Sequence, residues 1–158
     1  MKPLESETNL AEADESAALL LADIVPLVMR AIRDEMRSRR SPDLSLPQFR
    51  ALLYIRRHPG TSLSDLAEHI GLTLPSISKM IDRLESRDLV TRRGAPDDRR
   101  RVCLELTALG KSTLQSASDS TREHLAERLS TLSPEERATI MQAMNSLRSV
   151  FGSNPLEG

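Results

Sequence analysis

Residues 61–90 read TSLSDLAEHIGLTLPSISKMIDRLESRDLV, two short stretches of helical apolar period joined at Gly71. Ser62 followed by Asp65 is a capping box, in which each residue satisfies a backbone N–H of the other. The helix it opens turns Leu63, Leu66, Ala67 and Ile70 inward. Gly71 ends it, because the chain leaves a helix most cheaply through a left-handed residue and glycine takes that conformation freely. Thr73 then caps a second helix with Pro75 in its first turn, and Ile77, Ile81 and Leu84 give that helix one narrow apolar line. Ala67 is small enough to let the second helix cross close by, and Ile77 fills the space between the two. The spacing of Ala67, Gly71 and Ile77, four and then six residues, is that of a helix-turn-helix.

With its apolar line inward, the second helix turns Pro75, Ser76, Lys79, Asp82, Arg83 and Ser86 outward. Its start is small and hydroxylic, with Thr73, Ser76 and Ser78. Such a helix can sink into a major groove, where hydroxyls bond phosphates or base edges. Lys79 suits a phosphate, and Arg83 carries the planar fork that reads guanine. The free N–H groups at the helix start also favour phosphate oxygens. A lone basic pair on a solvated surface helix would be the plain alternative, but that leaves the turn pattern and the next element without a reason.

That next element has the period of a strand. Leu89 to Arg93 reads as a short strand, Gly94-Ala95-Pro96-Asp97-Asp98 as a turn, and Val102, Leu104 and Leu106 as a returning strand, alternating with Cys103 and Glu105. The tip of this hairpin carries Asp98, Arg99, Arg100 and Arg101. Arginines on a projecting loop suit the negative potential of a minor groove, and Asp98 could pair with Arg100 and fix its direction. Taken alone, the tip reads equally well as a solubilising loop.

The flanks are helical. Residues 1–13 lack periodicity and read as a disordered acidic tail. A helix is expected from about Ser16 to Arg39, with Leu20, Leu21, Ile24, Val25, Leu27, Val28, Ala31, Ile32 and Met36 in a broad stripe and Pro26 either kinking it or marking a late start. Ser45-Leu46-Pro47-Gln48 caps a helix that buries Phe49, Leu52, Leu53 and Ile55 and stops near Pro59-Gly60. Thr107 to about Ser130 continues as a helix with Leu109, Leu114, Ala117, Leu125 and Leu129. A capping box at Ser133-Pro134-Glu135-Glu136 opens a last helix, ending near Gly152, that buries Ile140, Met141, Met144, Leu147, Val150 and Phe151. The expected fold is mainly α with a small β-hairpin wing: a winged helix-turn-helix over 46–107, an N-terminal dimerisation helix over 14–45, C-terminal dimerisation helices over 108–152 and a tail over 153–158. The terminal helices carry more apolar surface than a small domain with its own core can use, so a twofold partner is expected to cover it.

Composition agrees. The chain has 158 residues, of which 2% are aromatic with no Trp, so its core is aliphatic. Residues 46–107 carry a net charge of +3 and the remainder −4, the polarity expected if the middle meets phosphate. The single cysteine, Cys103, allows no internal disulfide and fits a reducing cytoplasm. No apolar run reaches membrane-spanning length. His58, His69 and His124 show no metal-ligand spacing and read as solvated helix residues. There is no glycine-rich phosphate loop and no Gly-x-Ser-x-Gly, and the pairs Asp97-Asp98 and Glu135-Glu136 fall at a turn and a helix cap. The sequence therefore points away from an enzyme and implies neither cofactor nor metal.

The segment SLSDLAEHIGLTLPSISKMIDRLESRDLVTR (62–92), with Asp98-x-Arg100 followed by Leu106-Thr107, resembles the MarR family of bacterial transcription regulators, from about Pro47 to Gly110. The resemblance implies a homodimer joined by its first and last two helices, bound to double-stranded DNA. It implies a repressor, less often an activator, frequently relieved by a small aromatic or phenolic effector or by oxidation. By the motif match Asp98 and Arg100 are the wing-tip pair, and Ser76, Lys79 and Arg83 sit on the recognition helix. Some relatives sense oxidants through a cysteine in the first helix, and this chain has none there. Two other readings stay open: a winged helix that contacts protein rather than DNA, and a thiol-based sensor using Cys103.

Overall fold

The computed structural model describes residues 4–38, 43–94 and 102–152, with side chains from residue 13 onward. Among these residues six helices and one hairpin follow in the order α1 (Leu4–Met36), α2 (Leu46–Arg57), α3 (Leu63–Ile70), α4 (Leu74–Ser86), β1 (Val90–Gly94), β2 (Val102–Leu106), α5 (Ala108–Leu129) and α6 (Pro134–Phe151). The chain divides into two compact units, residues 1–121 and 122–158.

The first unit holds the core. Leu52, Ile55, Leu66, Ile77, Ile81, Leu84, Val90, Leu104 and Leu114 are all but inaccessible to solvent. They draw on α2, α3, α4, both strands and α5. The three capping boxes read from the sequence are formed, at Ser45 with Gln48, Ser62 with Asp65, and Ser133 with Glu136. The end of α3 is a Schellman motif: Leu72 N donates to Ala67 O and Gly71 N to Glu68 O, with Gly71 left-handed at φ +76°. The end of α4 repeats that arrangement with Asp88 at φ +57°, so that Leu89 N reaches Leu84 O at 2.9 Å. Aspartate is among the few side chains that tolerate this conformation.

The strands pair antiparallel with Val90 opposite Leu106 and Arg92 opposite Leu104. The α2–α3 link adds a one-residue edge, since Thr61 bridges Leu104 through Leu104 N to Thr61 O at 2.9 Å. From the hairpin the chain passes into α5 through Thr107, whose hydroxyl donates to Asp88 O and accepts from Gly110 N. Gly110 lies against the backbone of Leu89, where a Cβ would stand 1.9 Å from the carbonyl oxygen.

Several expectations are corrected. The first helix starts at Leu4 rather than near Ser16, so residues 4–13, expected as a disordered tail, are helical. Their Leu, Glu and Ala content propagates a helix well once it is nucleated downstream. The same helix continues through Pro26, so the proline does not mark its start. The first strand begins at Val90 rather than Leu89, because Leu89 is spent on the α4 terminus. Val102 is exposed at the outer end of β2, beyond the core that receives Leu104. In α6 no residue is buried: Met141, Met144, Val150 and Phe151 are exposed and Ile140 and Leu147 half-buried. A unit made of a half-helix and one helix cannot enclose a core of its own.

The two glycines give a paired test. Gly71 has open space around its Cβ position but a positive φ, so Gly71→Ala should cost about 1–2 kcal/mol of conformational strain alone. Gly110→Ala must push α5 off Leu89 and should cost about 1–3 kcal/mol or more. Urea unfolding measures both.

Candidate nucleic-acid interface

The rotation of α4 follows from its three apolar residues. Ile77, Ile81 and Leu84 have no exposed surface, and a 13-residue helix held along one line must turn the opposite side outward. Thr73, Pro75, Ser76, Lys79, Asp82, Arg83 and Ser86 are accordingly exposed, and Ser78 is half-buried at the margin of the face. Lys79 and Arg83 lie one turn apart on this face.

At the helix start Thr73 Oγ1 accepts from Ser76 N and donates to Ser76 Oγ at 2.9 Å. The cap thus satisfies one of the first N–H groups and leaves Pro75, which has none, as no burden. Leu72 and Leu74 flank Thr73 and are also exposed. The hairpin-tip residues Asp98, Arg99, Arg100 and Arg101 fall outside the described residues.

Asp82 and Glu85 had no assigned partner in the sequence reading. The structure joins both to Arg92 of β1, through a 2.6 Å contact from Nη2 to Asp82 Oδ1 and a short contact from Nη1 to Glu85 Oε2. Burial alone would lower the Arg92 pKa, but the hydrogen bond that Arg92 donates to Asp82 and the charges of Glu85 and Asp82 outweigh it and hold the pKa raised. The signal that could have revealed this clamp is a pair of acids three apart on the helix with an arginine seven residues beyond the second. Farther out, Arg93 Nε pairs with Glu105 Oε2 at 3.2 Å across the strands. Cys103 lies opposite Arg93 in the register and is half-buried.

Two of the histidines have a packing role that spacing did not show. Tyr54 of α2 stacks on His69 of α3, with centroids 4.2 Å apart, and also meets His58 at 4.4 Å. Partial burial, and then the charges of Arg50, His58 and Arg57, lower the His69 pKa from its ordinary 6.5. A second feature lies away from α4, where Arg33, Met36 and Arg37 of the α1 end face Leu44 to Pro47 across a cleft of about 170 Å³.

A profile of the MarR family matches residues 44–102. The transcriptional regulator HosA of Escherichia coli O111:H- is 36% identical over 109 residues, which are 67% of this chain and 78% of that protein. The chain belongs to the MarR family. A second member-like relative, the HTH-type transcriptional regulator YfiV of Bacillus subtilis (strain 168), is 31% identical over 105 residues, 66% of each chain. Wild-type apo MarR from E. coli superposes with a TM-score of 0.68 at 22% identity, covering 80% of this chain and 96% of its own. A MepR variant from S. aureus bound to an oligodeoxyribonucleotide gives 0.60 at 22% identity, covering 85% and 96%. At that identity the two structures speak for the fold. The protein is thus a MarR-family transcriptional regulator, and the winged helix-turn-helix expected from the sequence is the fold it has. Among the described residues no helix is long and apolar enough to cross a membrane.

The lowered pKa of His69 gives a pH dependence. Its folded state prefers the neutral ring, so its contribution to stability is complete above 6.5 and is lost as the pH falls through the lowered folded value. Wild type should therefore lose melting temperature on acidification more steeply than His69→Gln, by a modest margin because the ring is largely exposed.

Proposed function

We propose that the protein binds a pseudo-palindromic duplex site as a homodimer and represses transcription until a small ligand releases it. The observation that carries the reading is the exposed face of α4, where small hydroxylic residues precede Lys79 and Arg83 while the apolar line is fully spent on the core. In this reading α4 enters the major groove. Thr73, Pro75, Ser76 and Ser78 allow close approach, Lys79 meets a phosphate and Arg83 reads a base edge. Asp98, Arg99, Arg100 and Arg101 then serve the flanking minor groove. The relative bound to an oligodeoxyribonucleotide lends this support.

Two apolar faces support the dimer. Leu20, Ile24, Leu27 and Val28 of α1 are about half or more exposed, as are Met141, Met144, Val150 and Phe151 of α6. Side chains of this size on two helices are a large unpaid hydration cost for a lone chain. A twofold partner would set two α4 helices about one turn of DNA apart, hence the pseudo-palindrome.

The cleft between the α1 end and Leu44 to Pro47 is the place for an effector. Its floor is aliphatic, from Met36, Leu44, Leu46 and Pro47, and Arg33 and Arg37 stand at its edge. That combination suits a small aromatic or phenolic ligand with an acidic group, since it offers flat apolar contact and a cation. A ligand there would sit between the proposed dimerisation helix and the winged domain and alter their spacing.

The test begins with DNA fragments that the purified protein retains from a random pool. Affinity for the recovered duplex should fall steeply with salt, as phosphate contact demands. Arg83→Ala should lose about 1–3 kcal/mol of discrimination at one base pair per half-site. Arg100→Ala should weaken binding to all sequences and flatten the salt dependence by about one charge per protomer. If the protein retains no duplex even in dilute buffer, it is a protein-contact module instead. If both variants bind like wild type, the assigned roles are wrong.

A further inference from the structure

We propose that Arg92 is a positioning residue that makes the wing and the recognition helix one docking body, through its grip on Asp82 and Glu85. The inference rests on the DNA-binding reading above. Arg92 stands on β1 opposite Leu104, yet its guanidinium reaches back to α4 and gives one terminal nitrogen to each carboxylate. Asp82 and Glu85 are three apart, so both lie on the flank of α4 that faces the hairpin. A planar fork with fixed donor directions can span them as a point charge cannot.

The core does not do this job. Ile77, Ile81 and Leu84 fix how α4 is turned about its axis. Apolar contacts are non-directional, so they add no oriented polar tie between its exposed side and the hairpin. The covalent link between helix and strand is only Arg87 to Leu89. Arg92 adds a second, directional tie two residues beyond the start of β1. Its side chain is 26% exposed against 58% for Asp82, so the guanidinium is sheltered while the acid remains at the rim of the docking face.

The acids are otherwise hard to explain there. A surface meant only to attract a polyanion is weakened by two carboxylates beside Lys79 and Arg83. An exposed ion pair contributes little to stability. As anchors for Arg92 they have a use that appears in specific docking and not in general attraction. Specific recognition needs helix and wing to meet their grooves at once, whereas non-specific attraction to phosphate does not.

The experiment compares wild type, Asp82→Ala/Glu85→Ala and Arg92→Lys on two probes. One is the duplex selected by wild type from a randomised pool, and the other is a duplex of scrambled sequence. Removing two negative charges should tighten binding of the double variant to the scrambled duplex. The same variant should bind the selected duplex about tenfold more weakly, so its ratio of specific to non-specific affinity collapses. Arg92→Lys keeps the charge but loses the fork. It should reduce that ratio in the same direction, with the salt dependence unchanged because Arg92 itself meets no phosphate. A merely destabilised protein would lose affinity for both probes together. The clamp is overturned if the double variant gains affinity for both duplexes equally, or if Arg92→Lys leaves the ratio at the wild-type value. A wild type that selects no duplex overturns the DNA-binding reading itself, and is thereby distinguished from failure of the clamp.

Discussion

Three side chains, Ile77, Ile81 and Leu84, determine what this protein can present to a partner. Each is withdrawn completely from solvent, and together they use the only apolar line that α4 possesses. The helix has no second way to satisfy them, so its polar side is turned outward by obligation. The rest of the winged domain can be understood as what holds that line in place. α2 and α3 supply the opposite wall, Gly71 lets the chain double back within one left-handed residue, and the hairpin closes the far side through Val90 and Leu104. Gly110 brings α5 hard against Leu89 and completes the enclosure.

The same reasoning explains a division of labour along the chain. In the winged domain most of the apolar surface is spent internally, with Leu72, Leu74 and Val102 left exposed, and the polar face of α4 is turned outward. In α1 and α6 the balance is reversed, with large aliphatic, Met and Phe side chains left in water. A protein that binds DNA as a pair needs both kinds of surface. The first must be hydrophilic and cationic to meet phosphate, and the second must be apolar enough to hold two copies together at low concentration. The cleft beside Met36 and Leu44 lies between the end of α1 and the start of α2.

Local chemistry carried most of the fold into the sequence. Capping boxes at Ser45, Ser62 and Ser133, the glycine at position 71 and the switch from helical to alternating period after Arg87 involve residues within a few positions of one another. They fix element type and approximate ends. Less visible were features that depend on distant partners. The acids at 82 and 85 hint at Arg92 only through a spacing that links a helix to the following strand, and nothing around Tyr54 announces that rings four and fifteen residues later will stack on it. Gly110 looks like an unremarkable helical residue until Leu89 is placed beside it. The start of α1 was missed for another reason: an acidic stretch without apolar rhythm resembles a tail, although its residues propagate a helix well. The burial assigned to α6 assumed a covering surface that one chain does not supply. The candidate site was legible where it depends on the wheel of α4, and the clamp beneath it was not.

The central claim is that the exposed side of α4 enters the major groove twice on one duplex. It is tested most directly by cleavage from the helix itself. With Cys103 changed to Ser and Ser76 to Cys, an iron–EDTA group attached at position 76 should cut the selected duplex in two clusters. Their centres should lie about 10 base pairs apart, one helical turn, and be symmetric about the site. Binding with no cleavage from position 76, together with cleavage from the same group placed at Met144 of α6, would contradict the account.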